Sequence, residues 1–420
     1  MAESAWERVE PGDGEPEPTA RARSWVVICS PVSGNKSGRQ CVERELLPAW
    51  RRALGSGLNP AAGEACPEVF VTEHALHAGE LARQHGGAGR GLVVVGGDGT
   101  ISEVLEALRE RGTLRHTAVA VLSQGSLNFF AVTAGLPGAA GLPDAVLRGA
   151  LRPSSLMEVR DNTGCVARVS FEAFHVGEMA HRVCRAAREW RFSPGGPLAG
   201  IFKELIGCNL APRAFSQRGT LELELVSGHS VRLEDAWYWI VASHRNPYTG
   251  VVGESMWVAA MPLAGFPGFG RMMQFFAPPM EHYAGHAYAF PCVYECDRLC
   301  FTAEGAQELG LVLDGSDYRA GARIVVTNQR RAWHVVADRE PPRAVEARFT
   351  KVHSITPLAK RWLKAHPPPA GTPLHRPQHA TPEQDEPLAP QLAKIAALAA
   401  LVVYVVLKNL LPRNAKPRVV

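Results

Sequence analysis

The sequence has little excess charge of either sign: 45 Lys and Arg stand against 41 Asp and Glu, for a formal net charge of +4 over 420 residues. It has no dense basic block. The counterion-releasing contact that drives binding to a phosphate backbone therefore leaves no footprint, and nucleic acid is not expected as a partner. Its nine cysteines include no Cys-x-x-Cys knuckle, which argues against a structural zinc ribbon. The number is odd, the cysteines are scattered, and Met1 leads into Glu3, Glu7 and Glu10 rather than into a basic and then apolar stretch. Reduced cytosolic thiols are expected. Cys292, Cys296 and Cys300 are evenly spaced, which places all three on one face of a strand as small core residues. Walker A spacing and any internal repeat of fixed period are also absent.

What remains is a chain long enough for two domains, each burying its own core. Hydrophobic residues make up 46% and charged residues 20%, values of a folded protein, while 40 Gly and 32 Pro predict many tight turns. Residues 1–23 are rich in Glu, Pro, Gly and Arg without hydrophobic period and read as a disordered leader. From Trp25 a unit recurs: a short apolar run, a polar loop, then helical periodicity. Trp25–Cys29 precedes a helix through Leu46 and Leu47, and Val69–Val71 precedes Ala75–Gln84. Leu92–Val95 precedes Ile101–Leu108, and Ala118–Leu122 ends in another polar loop. This alternation predicts a parallel, doubly wound α/β sheet over residues 24–155.

Beyond residue 155 the period becomes two, as in Leu221-Glu222-Leu223-Glu224-Leu225, which predicts a mostly antiparallel β domain over 156–345, a β-sandwich. Residues 346–390 read as a Pro-rich linker. An apolar segment over 391–411 follows, then a basic tail over 412–420 with Arg413, Lys416 and Arg418. At about 1.5 Å per residue its continuous core, Ile395–Leu407, spans about 20 Å as a helix, short of the roughly 30 Å hydrocarbon layer. The segment is a candidate tail anchor. It would hold a cytosol-facing protein on the endoplasmic reticulum or mitochondrial outer membrane; a helix packed on the protein or lying on a bilayer is the alternative.

Three polar Gly-containing loops at strand ends form one rim. The first, Ser30-Pro31-Val32-Ser33-Gly34-Asn35-Lys36, sits between strand and helix, where backbone N–H groups and the helix dipole attract anions. The second, Gly96-Gly97-Asp98-Gly99-Thr100, sets three glycines around a carboxylate at a strand's carboxyl end, where open α/β sheets bind ligands. Asp98 there can organise Mg²⁺ or accept a proton from a hydroxyl. Alternatively it caps the next helix, with Glu103 completing a capping box around Thr100. The third loop is Ser123-Gln124-Gly125-Ser126-Leu127-Asn128.

These loops, in this order, resemble the catalytic domain shared by diacylglycerol, ceramide and sphingosine kinases. That family's first motif is matched by Ser30–Gly34, its Gly-Asp-Gly-Thr motif by Gly96–Thr100, and its third by Ser123–Asn128. Thr72-Glu73-His74-Ala75-Leu76-His77-Ala78 is similar to a segment between the first two. The resemblance, closest to sphingosine kinases, covers residues 24–340 and extends to the scaffold of NAD kinases. It implies ATP and Mg²⁺ as cofactors, with Ser30, Ser33, Gly34, Asn35, Lys36, Gly96, Gly97, Gly99, Thr100, Gly125, Ser126 and Asn128 around the nucleotide. Arg188 and Arg191 fall where family arginines meet ATP phosphates. Glu178 is the acid nearest the substrate-binding carboxylate, beside His175, and Met179 stands at the aligned position. Asp314, Gly315 and Asp317 fall in the family's Asp-Gly-Glu segment, where Ser316 replaces the Glu. Asp317 reaches that role, as a metal ligand with Asp98, only if a bulge re-aims it.

The resulting expectation is a lipid kinase whose Asp98 serves phosphoryl transfer to the primary hydroxyl of a sphingoid base, in a cleft between the domains. Diacylglycerol, acylglycerol or ceramide is the alternative acceptor. A different class, motivated by Ser316, is a weak pseudokinase acting as a membrane-tethered lipid-binding protein.

Overall fold

The computed structural model describes residues 22, 24–33, 38–55, 66–124, 130, 134–163, 167–189, 200, 203–204, 217–245, 252–262, 292–305 and 308–337. The predicted leader apart from Ala22, the linker at 346–390, the candidate anchor at 391–411 and the basic tail at 412–420 lie outside the described residues. Among the described residues no helix is long and apolar enough to cross a membrane. The chain divides into two compact units, one running to Ser154 and resuming at Arg331, the other running from Ser155 to Arg330.

The first unit is built on four parallel strands, β1 (Ser24–Cys29), β2 (Glu68–Val71), β3 (Arg90–Gly96) and β4 (Thr117–Ser123). Their order is β2-β1-β3-β4, and the end of the chain's last strand adds in parallel outside β4, with His334 opposite Ala118 and Val335 opposite Val119. Buried apolar runs rather than alternation mark β1, β3 and β4, the inner strands, because helices cover both faces there. The first connection holds α1 (Gly38–Cys41), a π-helical turn (Val42–Leu46) and α2 (Leu47–Gly55). Val42, Leu46 and Trp50 from this connection bury against Val27, Cys29, Val93 and Val95, together with Leu142 and Ala145 of α5 (Leu142–Leu147). The later connections, α3 (His77–His85) and α4 (Asp98–Glu110), pack on each other and on β1, β3 and β4. In α4, Ile101, Val104, Leu105 and Leu108 are buried, the stripe expected at a 3.6-residue period. Gly79 of α3 permits the close approach: an added Cβ would lie 3.1 Å from the Glu103 carbonyl oxygen.

The second unit contains β5 (Leu151–Asp161, from Ser155 onward), β6 (Ala167–Ser170), β7 (Ala173–Val176), helix α6 (Glu178–Glu189), β8 (Gln217–Leu225) and β9 (Ser230–Arg245). It continues with β10 (Val252–Pro262), β11 (Cys292–Ala303), β12 (Glu308–Leu313), β13 (Ser316–Gly321) and β14 (Arg323–Val336, to Arg330). Its ladders are antiparallel, as the two-residue period predicted. Four strands close on themselves: β8 pairs β9, β9 pairs β10, β10 pairs β11, and β11 returns to β8. Leu221, Leu223, Val231, Leu233, Met256, Val258, Leu299 and Phe301 fill one apolar core with Leu309, Leu311 and Leu313 of β12.

Cys296 and Cys300 are both buried, as expected, but they do not share a face, for a local reason. The register of β11 against β8 shifts between Cys296 and Arg298, so residues on either side of Asp297 face oppositely. Cys296 joins the apolar core, whereas Cys300 leaves it and accepts a hydrogen bond from Arg323 Nε at 3.3 Å.

One glycine tests the packing of the first unit. Gly91 lies beside Trp25 across β1 and β3, and a Cβ on it would stand 2.4 Å from the Trp25 ring, which packs on Trp50. Gly91→Ala should therefore destabilise by about 1–3 kcal/mol through overpacking, measured as a lowered midpoint in urea unfolding.

Candidate active site

The strand order decides where a ligand can approach. The chain winds from β1 outward to β2, then crosses back to β3 and on to β4, so the direction of winding reverses between β1 and β3. At such a switch point the loops leaving adjacent strands part toward opposite faces and open a crevice at the carboxyl edge. The first two predicted loops leave from the carboxyl ends of β1 and β3.

Hydrogen bonds tie these loops together. Ser30 N–H donates to the Val95 carbonyl at 2.8 Å. Ser33 Oγ donates to Ser30 Oγ at 2.8 Å and accepts from Gly97 N–H at 3.2 Å, spanning the first and second loops. Gln124 N–H donates to the Gly96 carbonyl at 2.7 Å, joining the third loop to the second. Gly38 opens α1 against the first loop, where a Cβ would meet the Ser30 carbonyl oxygen at 2.5 Å. Gly96 lies as close to Thr100, whose Oγ1 would stand 2.7 Å from an added Cβ. Glycine at these two positions is a matter of space.

Helix α4 begins one turn earlier than its hydrophobic period suggested. Gly97 is its N-cap, Asp98 is the first helical residue, and the N–H groups of Thr100 and Ile101 both donate to the Gly97 carbonyl. The capping box around Thr100 does not form, because the N-cap makes no side-chain bond. Glu103 instead accepts the Leu76 backbone N–H, and burial raises its carboxyl above the usual range. Asp98 thus presents a carboxylate, one oxygen withdrawn from solvent, in the first turn of a thirteen-residue helix. A hard oxygen donor beside a helix N-terminus suits Mg²⁺ and the phosphates it accompanies. Of the predicted nucleotide residues, Ser30, Ser33, Gly96, Gly97, Asp98, Gly99 and Thr100 are brought to this edge. Gly34, Asn35, Lys36, Gly125, Ser126, Asn128 and Arg191 lie outside the described residues, as does the Met179 side chain.

In the second unit the predicted polar residues engage one another. β12 and β13 join through a two-residue turn, with Leu313 opposite Ser316 and left-handed φ values of 45° at Asp314 and 78° at Gly315. Asp-Gly is the favoured pair for such a type I′ turn. The ladder runs in unbroken register from Leu313–Ser316 to Glu308–Gly321, so the bulge required to re-aim Asp317 is absent. Asp317 pairs instead with Arg188 of α6, and its other oxygen lies 3.6 Å from His181 Nε2. Burial holds the His181 imidazole below its ordinary value, as does the nearby Arg319 guanidinium.

Glu178, predicted beside the substrate, forms a two-pronged pair with Arg319 at 2.6 and 3.0 Å. Sequence reading missed Arg319, which is 141 residues away with no local signal. His175 lies on β7 between β9 and β12, and burial pushes its imidazole down to about 4. Asp314 has a structural role. Its buried carboxylate accepts from Ser170 Oγ at 2.8 Å and from the N–H groups of Phe171, Glu172 and Ala173 at 3.0 Å each. It holds the turn between β6 and β7.

Burial nevertheless pushes the Asp314 carboxyl up to about 6, against the pull of those four hydrogen bonds. The folded state then binds its proton more tightly than the unfolded chain does. Stability from this group therefore falls as pH rises from about 4 to about 6, by roughly 2–3 kcal/mol, and is flat above that window. Asp314→Asn cannot titrate but turns an amide donor toward buried N–H groups, costing about 1–3 kcal/mol near pH 4. Unfolding measured across pH 4–7 should show the deficit of Asp314→Asn narrowing as pH rises.

Comparison with known proteins converges on this edge. The diacylglycerol kinase catalytic domain matches residues 24–159. Ceramide kinase from Homo sapiens is 32% identical over 123 residues, 28% of this chain, and the match spans about a fifth, 21%, of that relative's length. Two solved proteins from Bacillus anthracis str. Sterne, each assigned as a diacylglycerol kinase, share the fold at 12% identity. One has a TM-score of 0.53 over 79% of this chain and 99% of its own, the other 0.50 over 75% and 98%. The matched residues, 24–159, are about a third of the chain and carry the parallel strands β1 to β4 with the Gly96–Thr100 loop, so this part of the chain is similar to the diacylglycerol kinase catalytic domain.

Proposed function

We propose that this chain is an ATP-dependent lipid kinase that phosphorylates the primary hydroxyl of a membrane lipid. The observation that carries this reading is the hydrogen-bonded rim at the β1/β3 switch point, with Asp98 in the first turn of α4. The α4 N-terminus and the glycine loop suit the nucleotide phosphates. Mg²⁺ held through Asp98 would supply charge neutralisation, which together with positioning is most of what phosphoryl transfer requires. In the reaction the lipid hydroxyl oxygen bonds to the γ-phosphorus and the bond to the bridging β–γ oxygen breaks. The hydroxyl proton passes to the Asp98 carboxylate and ADP leaves.

The acceptor is read as a lipid whose head is neutral around the hydroxyl, with ceramide foremost. Two points support this: a ceramide kinase is among the proteins to which the chain is similar, and Glu178, the acid expected to pair with a sphingoid amine, is engaged by Arg319. Sphingosine and diacylglycerol are the comparison arms. The apolar C-terminal segment, Ile395–Leu407 with its extension to Leu411, would hold the enzyme at its substrate's membrane.

Radiolabelled ATP offered with ceramide, sphingosine, diacylglycerol, monoacylglycerol and NAD should label ceramide most strongly. Failure of every lipid to label would end the kinase reading. Asp98→Asn should lower turnover by about 10²-fold or more while the unfolding midpoint stays near that of the parent. Parental turnover in that variant would remove Asp98 from the chemistry. Deletion after Pro390 should release the protein from sedimenting membranes and leave labelling of detergent-dispersed lipid intact.

A further inference from the structure

The Thr72–Ala78 segment stands apart from the phosphate rim and has a geometry of its own. β2 ends at Val71, Thr72 N–H donates to the Cys29 carbonyl at 2.9 Å, and α3 starts at His77. Between them Leu76 adopts φ 66° and ψ −2°, a left-handed conformation that L side chains avoid. Its side chain is 60% exposed, so packing does not offset the strain. The turn is held by the N–H groups of Gly79 and Glu80 donating to the Leu76 carbonyl and by Glu103 accepting the Leu76 N–H. Its consequence is the placement of two imidazoles. His74 and His77 stack with ring centroids 4.5 Å apart and planes 9° from parallel. Glu80 follows one turn along α3, and the three residues offer ligand atoms that all lie within 4.8 Å of one another.

We propose that His74, His77 and Glu80 form a site for a divalent transition metal, with Zn²⁺ the preferred ion. Two imidazole nitrogens and one carboxylate oxygen are a borderline donor set suited to zinc, and three protein ligands leave a coordination position for water. The His74 ring has one nitrogen engaged and the other left for ligation. Its Nδ1 lies 3.0 Å from the Ala75 carbonyl, which can only accept, so Nδ1 carries the proton and Nε2 keeps its lone pair. His77 Nδ1 accepts the Glu73 N–H at 3.0 Å. Ligation by His77 exchanges this hydrogen bond for a metal–nitrogen bond, which places the affinity below that of a closed structural zinc site. A bound ion would clamp the strained turn onto α3, which packs on α4, the helix that begins at Asp98. The site needs no nucleotide and stands independently of the kinase reading.

The test uses the full chain, stripped of metal and kept reduced, titrated with Zn²⁺ against a chromogenic chelator. Cysteines and other histidines also bind zinc, so the quantity read is the difference between the parent and a His74→Ala, His77→Ala, Glu80→Gln triple variant. The parent should hold one more equivalent of zinc, with affinity on the order of micromolar. Its unfolding midpoint should rise with zinc while that of the triple variant stays still. Glu80→Gln alone, at an exposed position on the helix surface, should weaken the site by about tenfold without altering the zinc-free midpoint. X-ray absorption of the zinc-loaded parent should show a nitrogen and oxygen shell with imidazole scattering. Equal stoichiometry and affinity in the parent and both variants, or a shell of sulfur alone, would overturn the proposal.

Discussion

Reversal of the winding direction between β1 and β3 governs the first unit. Right-handed connections from a central strand must send their helices to opposite faces when the chain turns back. Here the first connection buries Leu46 and Trp50 on one face, while α3 and α4 occupy the other. The loops after β1 and β3 leave the sheet on either side of this reversal, and α4 starts at Asp98, just beyond the end of β3, so its N-terminus lies at this edge. A gap of this kind would be loose without a bridge. The Ser33 hydroxyl supplies one, donating to Ser30 and accepting from Gly97, while Gln124 closes the next interval through the Gly96 carbonyl. Position and electrostatics at this edge follow from these contacts together with the dipole of α4.

The second unit disposes of its charges differently. Its ionisable residues near α6 are held in pairs: Glu178 with Arg319, Asp317 with Arg188 and, at longer range, with His181. Asp314 has the densest set of contacts, four donors on one buried carboxylate, and its left-handed backbone forms half of the turn that joins β12 to β13. A buried carboxylate satisfied to this degree orders the chain around it, since removing the acceptor would strand three backbone N–H groups. The Asp-Gly pair therefore has a folding role that stands whether or not a nucleotide is bound.

Much of the architecture was legible in the amino-acid sequence because its causes are local. Four apolar runs, the first three each followed by helical periodicity, specify a parallel sheet, and Leu221–Leu225 specifies an antiparallel strand, since a period of 3.6 or 2 is a property of neighbouring residues. The glycine-rich loops marked the carboxyl edge of the sheet as a place of close approach, because only a residue without Cβ fits where Gly38 approaches Ser30 and Gly96 approaches Thr100. Even where the reading slipped, the error was short-ranged: Gly97 replaced Thr100 as helix cap, and a bulge at Asp297 turned Cys300 away from Cys296.

Partnership was decided by tertiary structure alone. Nothing near Glu178 in sequence points to Arg319, nothing near Asp317 points to Arg188, and nothing near Asp314 points to the N–H groups of Phe171, Glu172 and Ala173. Each pairing joins residues more than a hundred positions apart, brought together by strand register and by the packing of α6 on β12 and β13. A charged side chain carries no mark of whether it will meet a ligand or an opposite charge. That outcome depends on which surfaces become neighbours when the apolar faces bury, and burial of distant faces is a property of the whole fold.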